Sequence, residues 1–261
     1  MTNLLEKKVL SLALLAGEIM MKSGAEIYRV EDTITRICKA CKMDNIGVFT
    51  TSTGIFVSVS RDGEDSFAST AITSVKNSSI NLDKISEVNS FAREFTTTDL
   101  SIDEGIEILQ KLKDKKLYPT IIQLLFAGIA GALFSLLFDG SYIDTMLTGI
   151  IGVFSYTVSR FFGHFKINYF LSDFLSIAIA TFACLMADHF SLISDYSPAV
   201  IGVLMIFVPG FSITTSMRDF LSGDMLAGLA RLVEAIAIGI SLAAGVGFAL
   251  HVWNYTGGLF S

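Results

Sequence analysis

The stretch that decides the fold is Thr120–Phe138, TIIQLLFAGIAGALFSLLF, in which no side chain is charged. A helix over these residues would rise about 28 Å, close to the roughly 30 Å hydrocarbon core of a bilayer. Four more apolar stretches follow it. The five predicted spans are 120–138, 143–162, 170–187, 198–217 and 225–252. We therefore expect an α-helical polytopic membrane protein with about five transmembrane helices.

Charged residues are concentrated before these spans. Of 19 lysines and arginines, 15 lie at or before Lys116, and 17 of 25 acidic residues lie at or before Asp114. This division predicts a soluble domain at 1–117 and a transmembrane domain at 118–261. The formal net charge of −6 argues against a nucleic-acid partner, because nucleic acids favour a basic face.

The periodicity of the first 117 residues predicts an α+β domain. Apolar residues at helical spacing alternate with short segments rich in Val, Ile, Phe and Thr. The predicted elements are helices over 4–22, 25–42, 81–95 and 101–114, and strands over 46–51, 54–60 and 67–75. Ser101 and Glu104 form a capping box at the start of the last helix. We expect a small antiparallel sheet covered by helices.

Loop charges predict the orientation. Lysines cluster just before the first span, and Arg160, Lys166 and Arg218 flank the loops after the second and fourth spans. The opposite loops carry four aspartates and no lysine or arginine. The N-terminal domain is therefore expected in the cytoplasm and the C-terminus outside, in a multi-pass protein of the inner or plasma membrane.

The fourth predicted span contains Pro209 and Gly210. Proline lacks an N–H group and clashes with the carbonyl four residues earlier, and glycine adds flexibility, so the helix should be interrupted. Hydroxyl groups follow at Ser212, Thr214 and Thr215. Because transporters build substrate sites at broken helices, these residues are candidates for a substrate pathway. The alternative is a helix that is merely kinked or ended.

Five charged residues follow the break: Arg218, Asp219, Asp224, Arg231 and Glu234. A charge in lipid costs roughly 2.5–3.5 kcal/mol, so we expect these groups to be paired and to face the protein interior. One hypothesis is a set of interfacial salt bridges. The other is a polar pathway, in which arginine binds a substrate carboxylate through its planar fork and an acidic residue carries a coupling proton.

No enzyme, cofactor or metal is predicted. Cys38 and Cys41 form a C-x-x-C pair, but neither a second pair nor a nearby histidine accompanies them, so we interpret them as small apolar helix residues. No glycine precedes a lysine, which excludes a Walker A site, and the serine-hydrolase and zinc-protease motifs are missing from the sequence.

Small residues recur at steps of four at Gly239, Ala243 and Gly247, and Gly128 precedes Ala132 by the same step. This spacing allows close helix packing in lipid, either within the chain or against another subunit.

Two sets of residues resemble the signature of the threonine/serine exporter family. They are Ala16-Gly17, Ser23-Gly24-Ala25-Glu26 and Tyr28–Thr33 in the first set, and Pro209-Gly210, Asp219, Ser222-Gly223-Asp224, Gly228, Ala230-Arg231 and Glu234-Ala235 in the second. The resemblance covers nearly the whole chain, in the same order. It implies a secondary exporter of small hydrophilic metabolites.

The resemblance also implies a partner. Full-length members carry a second membrane domain that does not follow here, which suggests a split transporter completed by a smaller membrane subunit, a homo-oligomer, or both. Split relatives have been linked to short dicarboxylates as well as to threonine and serine. Both substrate classes carry a carboxylate, which suits the arginines.

The first signature contains the charged residues Glu26, Arg29, Glu31 and Asp32. Their helical spacing predicts a surface network of ion pairs, each worth little. The alternative is a cytoplasmic gate that senses substrate. A different function remains open as well: a membrane-anchored regulatory or scaffold protein whose cytoplasmic domain binds a ligand or partner.

Overall fold

The computed structural model describes residues 2–60, 69–74, 80–115, 118–165 and 167–256. The elements in these residues are helices α1 (Thr2–Lys22) and α2 (Ile27–Ala40), strands β1 (Asn45–Thr50), β2 (Gly54–Ser60) and β3 (Ser69–Ser74), and helices α3 (Leu82–Thr97), α4 (Ile102–Asp114), α5 (Thr120–Leu137), α6 (Tyr142–His164), α7 (Tyr169–His189), α8 (Tyr196–Met205), α9 (Gly210–Leu221) and α10 (Met225–Thr256). The chain forms two compact units. The first unit contains Met1–Leu117 and Phe211–Leu232, and the second unit contains Tyr118–Gly210 and Val233–Ser261.

The antiparallel sheet predicted from the sequence is confirmed in the first unit. Strand β2 lies in the centre and pairs antiparallel with β1 and β3. Alternate residues Ile55, Val57 and Val59 are fully buried, as a strand with one face on the core requires. Residues 67, 68 and 75 of the third predicted strand lie outside the described residues.

Helices α1 and α2 supply most of the core beneath the sheet. Their fully buried side chains recur at steps of three and four along each helix, as the sequence predicts, and include Val9, Leu12, Ala16, Met20, Val30, Ile34 and Ile37. Gly17 lets α1 come close, because a Cβ there would lie 2.8 Å from Cδ1 of Ile34. These side chains form a hydrophobic core within the first unit. Burying each of the large ones contributes about 1.5–3 kcal/mol.

Helices α3 and α4 begin at well-formed caps. The side chain of Asn81 accepts a hydrogen bond of 3.0 Å from the N–H of Lys84 at the start of α3. Ser101 and Glu104 form both bonds of the predicted capping box at the start of α4. Each cap satisfies backbone N–H groups that have no partner within the helix.

All the secondary-structure elements in the described residues of the second unit are helices. Helices α5 and α6 approach closely at Gly128, where a Cβ would lie 2.9 Å from the carbonyl oxygen of Gly149. Helix α8 approaches α5 closely at Gly202, where a Cβ would lie 2.5 Å from the carbonyl oxygen of Gly131. Close packing of small residues is therefore realised at Gly128. By contrast, Gly239 and Gly247 face open space within the described residues.

Within the described residues, three helices are long and apolar enough to cross a membrane: α5, α7 and α10. Helices α8 and α9 add a fourth span if they are counted together, since they are bent by 50° at a short break. Helix α6 has 23 residues and is long enough to span, but its composition is less apolar than that of α5, α7 and α10. The predicted number of five spans stays a prediction, whereas the predicted interruption at Pro209 and Gly210 coincides with the observed break.

Candidate functional site

The connection between α1 and α2 positions the first part of the site. Gly24 has a φ of +85°, a left-handed conformation that glycine adopts without strain, and it ends α1. The N–H of Ala25 donates to the carbonyl of Met20 at 3.0 Å, which satisfies one of the last carbonyls of that helix. The turn leaves the carbonyl of Ala25 and the side chain of Glu26 facing residues of α9 and α10.

Glu26 binds two arginines although it is almost completely buried. Its Oε1 accepts a hydrogen bond of 2.6 Å from Nη1 of Arg218, and its Oε2 accepts one of 3.3 Å from Nη1 of Arg29. The side chain of Glu26 is only 5% exposed. Burial raises the pKa of its carboxyl, but its own backbone N–H and the two guanidinium groups outweigh that effect and hold the pKa below its usual range.

Asp219 is fully buried and caps a helix that begins 192 residues earlier. Its Oδ1 accepts a hydrogen bond of 3.2 Å from the N–H of Ile27, the first residue of α2. This N–H has no partner within its own helix, and a negative charge at a helix N-terminus is favourable. Glu26, the local capping position, makes no side-chain cap bond to α2, so Asp219 takes that role.

Arg231 completes the arrangement from α10. Its Nη2 donates a hydrogen bond of 2.6 Å to the carbonyl of Ala25, and its Nη1 lies 3.4 Å from Oδ2 of Asp219. Within the described residues, Oδ2 of Asp219 and Nη1 of Arg231 are buried without a hydrogen-bond partner. We call Glu26, Arg218, Asp219 and Arg231, with the backbone of Ala25 and Ile27, the ionic cluster.

Glu31 and Asp224 are two further acidic residues of the first unit, and the N–H of Asp224 donates to the carbonyl of Asp219 at 2.9 Å. Glu31 accepts a hydrogen bond of 2.9 Å from the N–H of Thr50. Burial raises the pKa of Glu31, the N–H of Thr50 opposes this, and the charge of Asp224 adds to the rise. Asp224 follows Gly223, whose φ of +92° turns the chain between α9 and α10. The two acidic groups thus interact electrostatically, and the pKa of Glu31 lies above its usual range.

The remaining candidate residues lie elsewhere. Asp32 is exposed and pairs with Arg36 at 2.9 Å rather than with the ionic cluster. Glu234 is exposed in the second unit, and no ion pair to it forms in the described part of the chain. The partner of Arg231 is consequently Asp219 and not Glu234, which lies one turn further along the same helix.

The hydroxyl groups after the break serve mainly α9 itself. Thr214 donates to the carbonyl of Phe211 at 3.0 Å, while Ser212 is half-buried at the start of the helix. Thr215 is 2% exposed. Pro209 and Gly210 lie in the second unit, just before this segment. The ionic cluster therefore combines Glu26 of the first signature with Asp219 and Arg231 of the second and with Arg218, and it contains none of these five residues.

Sequence reasoning missed two backbone groups and one pairing. The carbonyl of Ala25 and the N–H of Ile27 carry no side-chain signal, although the Ser23-Gly24 turn marks where a helix end exposes such groups. The pairing of Glu26 with Arg218 joins the first signature to a residue directly beside Asp219 of the second, and the sequence alone does not indicate that they meet.

A cavity of about 430 Å³ in the second unit is a weaker candidate. Asp144 lines it, but both carboxylate oxygens are already used, one by the N–H of Ser141 at 2.9 Å and one by the N–H of Ser194 at 2.7 Å. This carboxylate holds two loops together and is only 2% exposed, so it offers little accessible surface to a ligand.

The described residues offer no metal-ligand set. No group of three or more His, Cys, Asp and Glu side chains is arranged there to hold a metal ion. Burial raises the pKa of the Cys38 thiol to about 12, so a thiolate is not available at neutral pH.

Comparison with known proteins extends these observations. The family model described as "Putative threonine/serine exporter" matches residues 11–253. A "Probable threonine/serine exporter" of Mycobacterium tuberculosis is 24% identical over 249 residues, which cover 94% of this chain and 46% of that protein. The chain thus spans about half the length of this relative. No solved structure matches the chain.

Relatives of similar length exist as well. A "Probable succinate transporter subunit YjjP" of Escherichia coli is 22% identical over 262 residues, which cover 97% of each chain. The "Pheromone-regulated membrane protein 10" of Saccharomyces cerevisiae is 23% identical over 90% of this chain and 31% of its own length. The match thus extends to relatives of quite different length and organism.

Proposed function

Since the chain belongs to the threonine/serine exporter family, a family of membrane transporters, we propose that it is a subunit of a secondary transporter. Its proposed substrates are small metabolites that carry a carboxylate, either amino acids of the threonine/serine type or short dicarboxylates. The observation that carries the proposal is the ionic cluster, in which residues of a broken helical region bind the N-terminal signature.

Arg218 is the proposed substrate-binding residue. Its side chain is 63% exposed, although Nη1 is bound to Glu26. A guanidinium presents five N–H donors in a planar fork, so one contact leaves donors free for a carboxylate. A substrate carboxylate could also displace Glu26 from Arg218, which would open the contact between α9 and the start of α2. Pro209 and Gly210, at the start of α9, are further proposed pathway residues.

The proposed coupling ion is a proton. Glu31, with its raised pKa, lies close enough to Asp224 for their charges to interact. A nearby negative charge disfavours the ionised form of a carboxyl group, so the charge of Asp224 favours proton uptake by Glu31. Proton uptake here would relieve that repulsion and so link protonation to the position of the loop between α9 and α10.

A second subunit or a second copy is the proposed partner. The Escherichia coli relative of equal length is named as a transporter subunit. Gly239, Ala243 and Gly247 form an exposed line on α10, and Gly239 and Gly247 face open space within the described residues. Small residues on a lipid-facing helix allow another helix to approach closely, which supports assembly in the membrane.

The test is export from preloaded cells by Arg218 variants. Arg218→Ala should reduce export at least tenfold while the protein still inserts into the membrane, and Arg218→Lys should lie between, because it keeps the charge without the fork. Lys111→Ala, which also removes an exposed, ion-paired cation, is the matched control and should export normally. Full export by Arg218→Ala would remove this residue from the mechanism.

The second candidate function is a membrane-anchored regulatory or scaffold protein. A polar cavity between α2 and α3 favours it, because that cavity could take a ligand. The two functions are separated by reconstitution in liposomes. Failure of the chain to move labelled succinate or threonine, even together with a small membrane protein encoded beside it, would favour the scaffold.

A further inference from the structure

A polar cavity of about 330 Å³ lies between α2 and α3 in the first unit, apart from the ionic cluster. This volume is at the small end of ligand pockets, which measure about 300–1,000 Å³. Three arginines and a single carboxylate line it: Arg29, Arg36, Arg93 and Asp32. The cavity is therefore cationic, in a chain whose formal net charge is −6.

The arginines are not fully committed to the protein. Arg29 and Arg36 each pair with one carboxylate, and their side chains stay 38% and 42% exposed. Arg93 is exposed, and its guanidinium makes no ion pair within the described residues. Exposed ion pairs are worth little, so a ligand that offers more than one anionic group can replace them.

The wall of the cavity adds neutral hydrogen-bonding groups. Thr33 is 2% exposed and donates to Oδ1 of Asn89 at 3.4 Å. That contact orients the amide of Asn89 and leaves its Nδ2 as a donor for a ligand oxygen. Tyr28, which is 45% exposed, adds a ring and a hydroxyl at the rim.

We propose that this cavity binds a small organic dianion, in particular a dicarboxylate, and acts as a regulatory site separate from the transport pathway. Three arginines match two carboxylates, because each guanidinium can bind a carboxylate with two parallel hydrogen bonds. The proposal does not require that the bound dianion be the exported substrate.

Arg29 connects the cavity to the ionic cluster. It lines the cavity and also pairs with Glu26 at 3.3 Å, and Glu26 in turn binds Arg218 at 2.6 Å. A ligand that draws Arg29 into the cavity removes a cation from Glu26. Such coupling is reciprocal: if the bound ligand weakens the pair between Arg29 and Glu26, the ligand must bind more tightly when that pair is already broken.

The experiment measures succinate binding to the purified full-length chain in detergent by isothermal titration. Arg36→Ala/Arg93→Ala should weaken binding at least tenfold without lowering the melting temperature, because both side chains are exposed. Lys39→Ala/Lys111→Ala also removes two exposed cations and should bind normally. Glu26→Gln should tighten binding several-fold, because it frees Arg29 and removes a negative charge. Neutral succinamide should not bind.

Three results would overturn the proposal. They are unchanged affinity in Arg36→Ala/Arg93→Ala, equal binding of succinamide, and loss of binding in Arg218→Ala but not in the cavity variant. The last result would place succinate in the transport pathway and leave the proposed function intact. Conversely, a chain that exports nothing but loses binding in the cavity variant would contradict the proposed function alone.

Discussion

At the residue scale, Asp219 and Arg231 are the groups most dependent on each other. Asp219 is fully buried and Arg231 is 16% exposed, with 3.4 Å between Oδ2 and Nη1. Removing one partner of a buried ion pair leaves a charge that neither water nor protein neutralises. Asp219 also accepts a hydrogen bond from the first residue of α2, so the loss of Arg231 is expected to weaken the start of that helix as well.

We predict that Arg231→Met destabilises the protein by about 3–5 kcal/mol, because it leaves the Asp219 carboxylate buried and unpaired. Adding Asp219→Asn should recover most of the loss, since asparagine can still accept the hydrogen bond from Ile27 without a charge. Denaturant unfolding of the purified chain in detergent measures both values. A double variant as unstable as Arg231→Met would contradict the charge argument.

A second prediction concerns Glu31 and pH. Its raised pKa means that the folded chain holds this proton more tightly than the unfolded chain, so its contribution to stability falls as pH rises above the ordinary 4.5 through the folded pKa. Glu31→Gln stays neutral and keeps an acceptor for Thr50. The melting temperature of Glu31→Gln, relative to that of the parent chain, should therefore increase by a few degrees as pH rises from 4.5.

Glu26→Gln provides the opposite case. The pKa of Glu26 is lowered, so its stabilising contribution is present above 4.5 and is lost as pH falls through the folded pKa. In melting curves from acidic to neutral pH, the melting temperature of this variant relative to that of the parent chain should decrease as pH rises toward 4.5. The same sign of pH dependence in both glutamine variants would contradict the two assignments.

At the element scale, glycines decide how closely the helices of the second unit pack. A Cβ on Gly202 would lie 2.5 Å from the carbonyl oxygen of Gly131 and 2.8 Å from Cγ2 of Thr148. Neither a backbone carbonyl nor the side chain of fully buried Thr148 can move aside easily. Gly239 lies in a helix of the same unit, and nothing described lies within 4 Å of its Cβ position.

Gly202→Ala is accordingly predicted to destabilise the protein by about 1–3 kcal/mol through overpacking of α8. Gly239→Ala should be neutral or slightly stabilising in the chain alone, because alanine favours helix more than glycine does. Unfolding in detergent compares the two substitutions directly. Equal tolerance of both would show that the close contact at Gly202 relaxes without cost.

The break between α8 and α9 is the other feature at this scale. Gly210 donates to the carbonyl of Val208 at 2.8 Å, which replaces the regular helical hydrogen bonds at this point. Proline supplies the reason, since it cannot donate and clashes with the preceding turn. The chain therefore changes direction immediately before the segment that carries Arg218 and Asp219.

At the scale of the whole molecule, the arrangement of apolar helices and loop charges predicts the orientation in the membrane. Alkaline phosphatase fused after residue 256 or within residues 139–141 should be active, because both positions are expected outside. The same enzyme fused after residue 115 should be inactive, and a fluorescent protein there should fold. An inactive phosphatase after residue 256 would mean that the number of spans differs by one.

Much of the fold follows from local patterns in the sequence. The capping box at Ser101 and Glu104, the alternation in β2 and the break at Pro209 each depend on residues only a few positions apart. The number of spans does not follow from such local patterns, because α6 combines sufficient length with a less apolar composition. Apolar composition varies continuously from helix to helix, whereas a helix either crosses the membrane or does not, so composition alone does not decide the case of α6.

The sequence by itself determined which segments are apolar, which are periodic, and which residues carry charge, because these properties belong to single residues and their near neighbours. Only the tertiary structure decided which charges meet. Glu26 binds Arg218, and Asp219 caps the helix that begins at Ile27, each across 192 positions. Such pairings depend on how elements pack in space, and neither spacing along the chain nor charge alone contains that information.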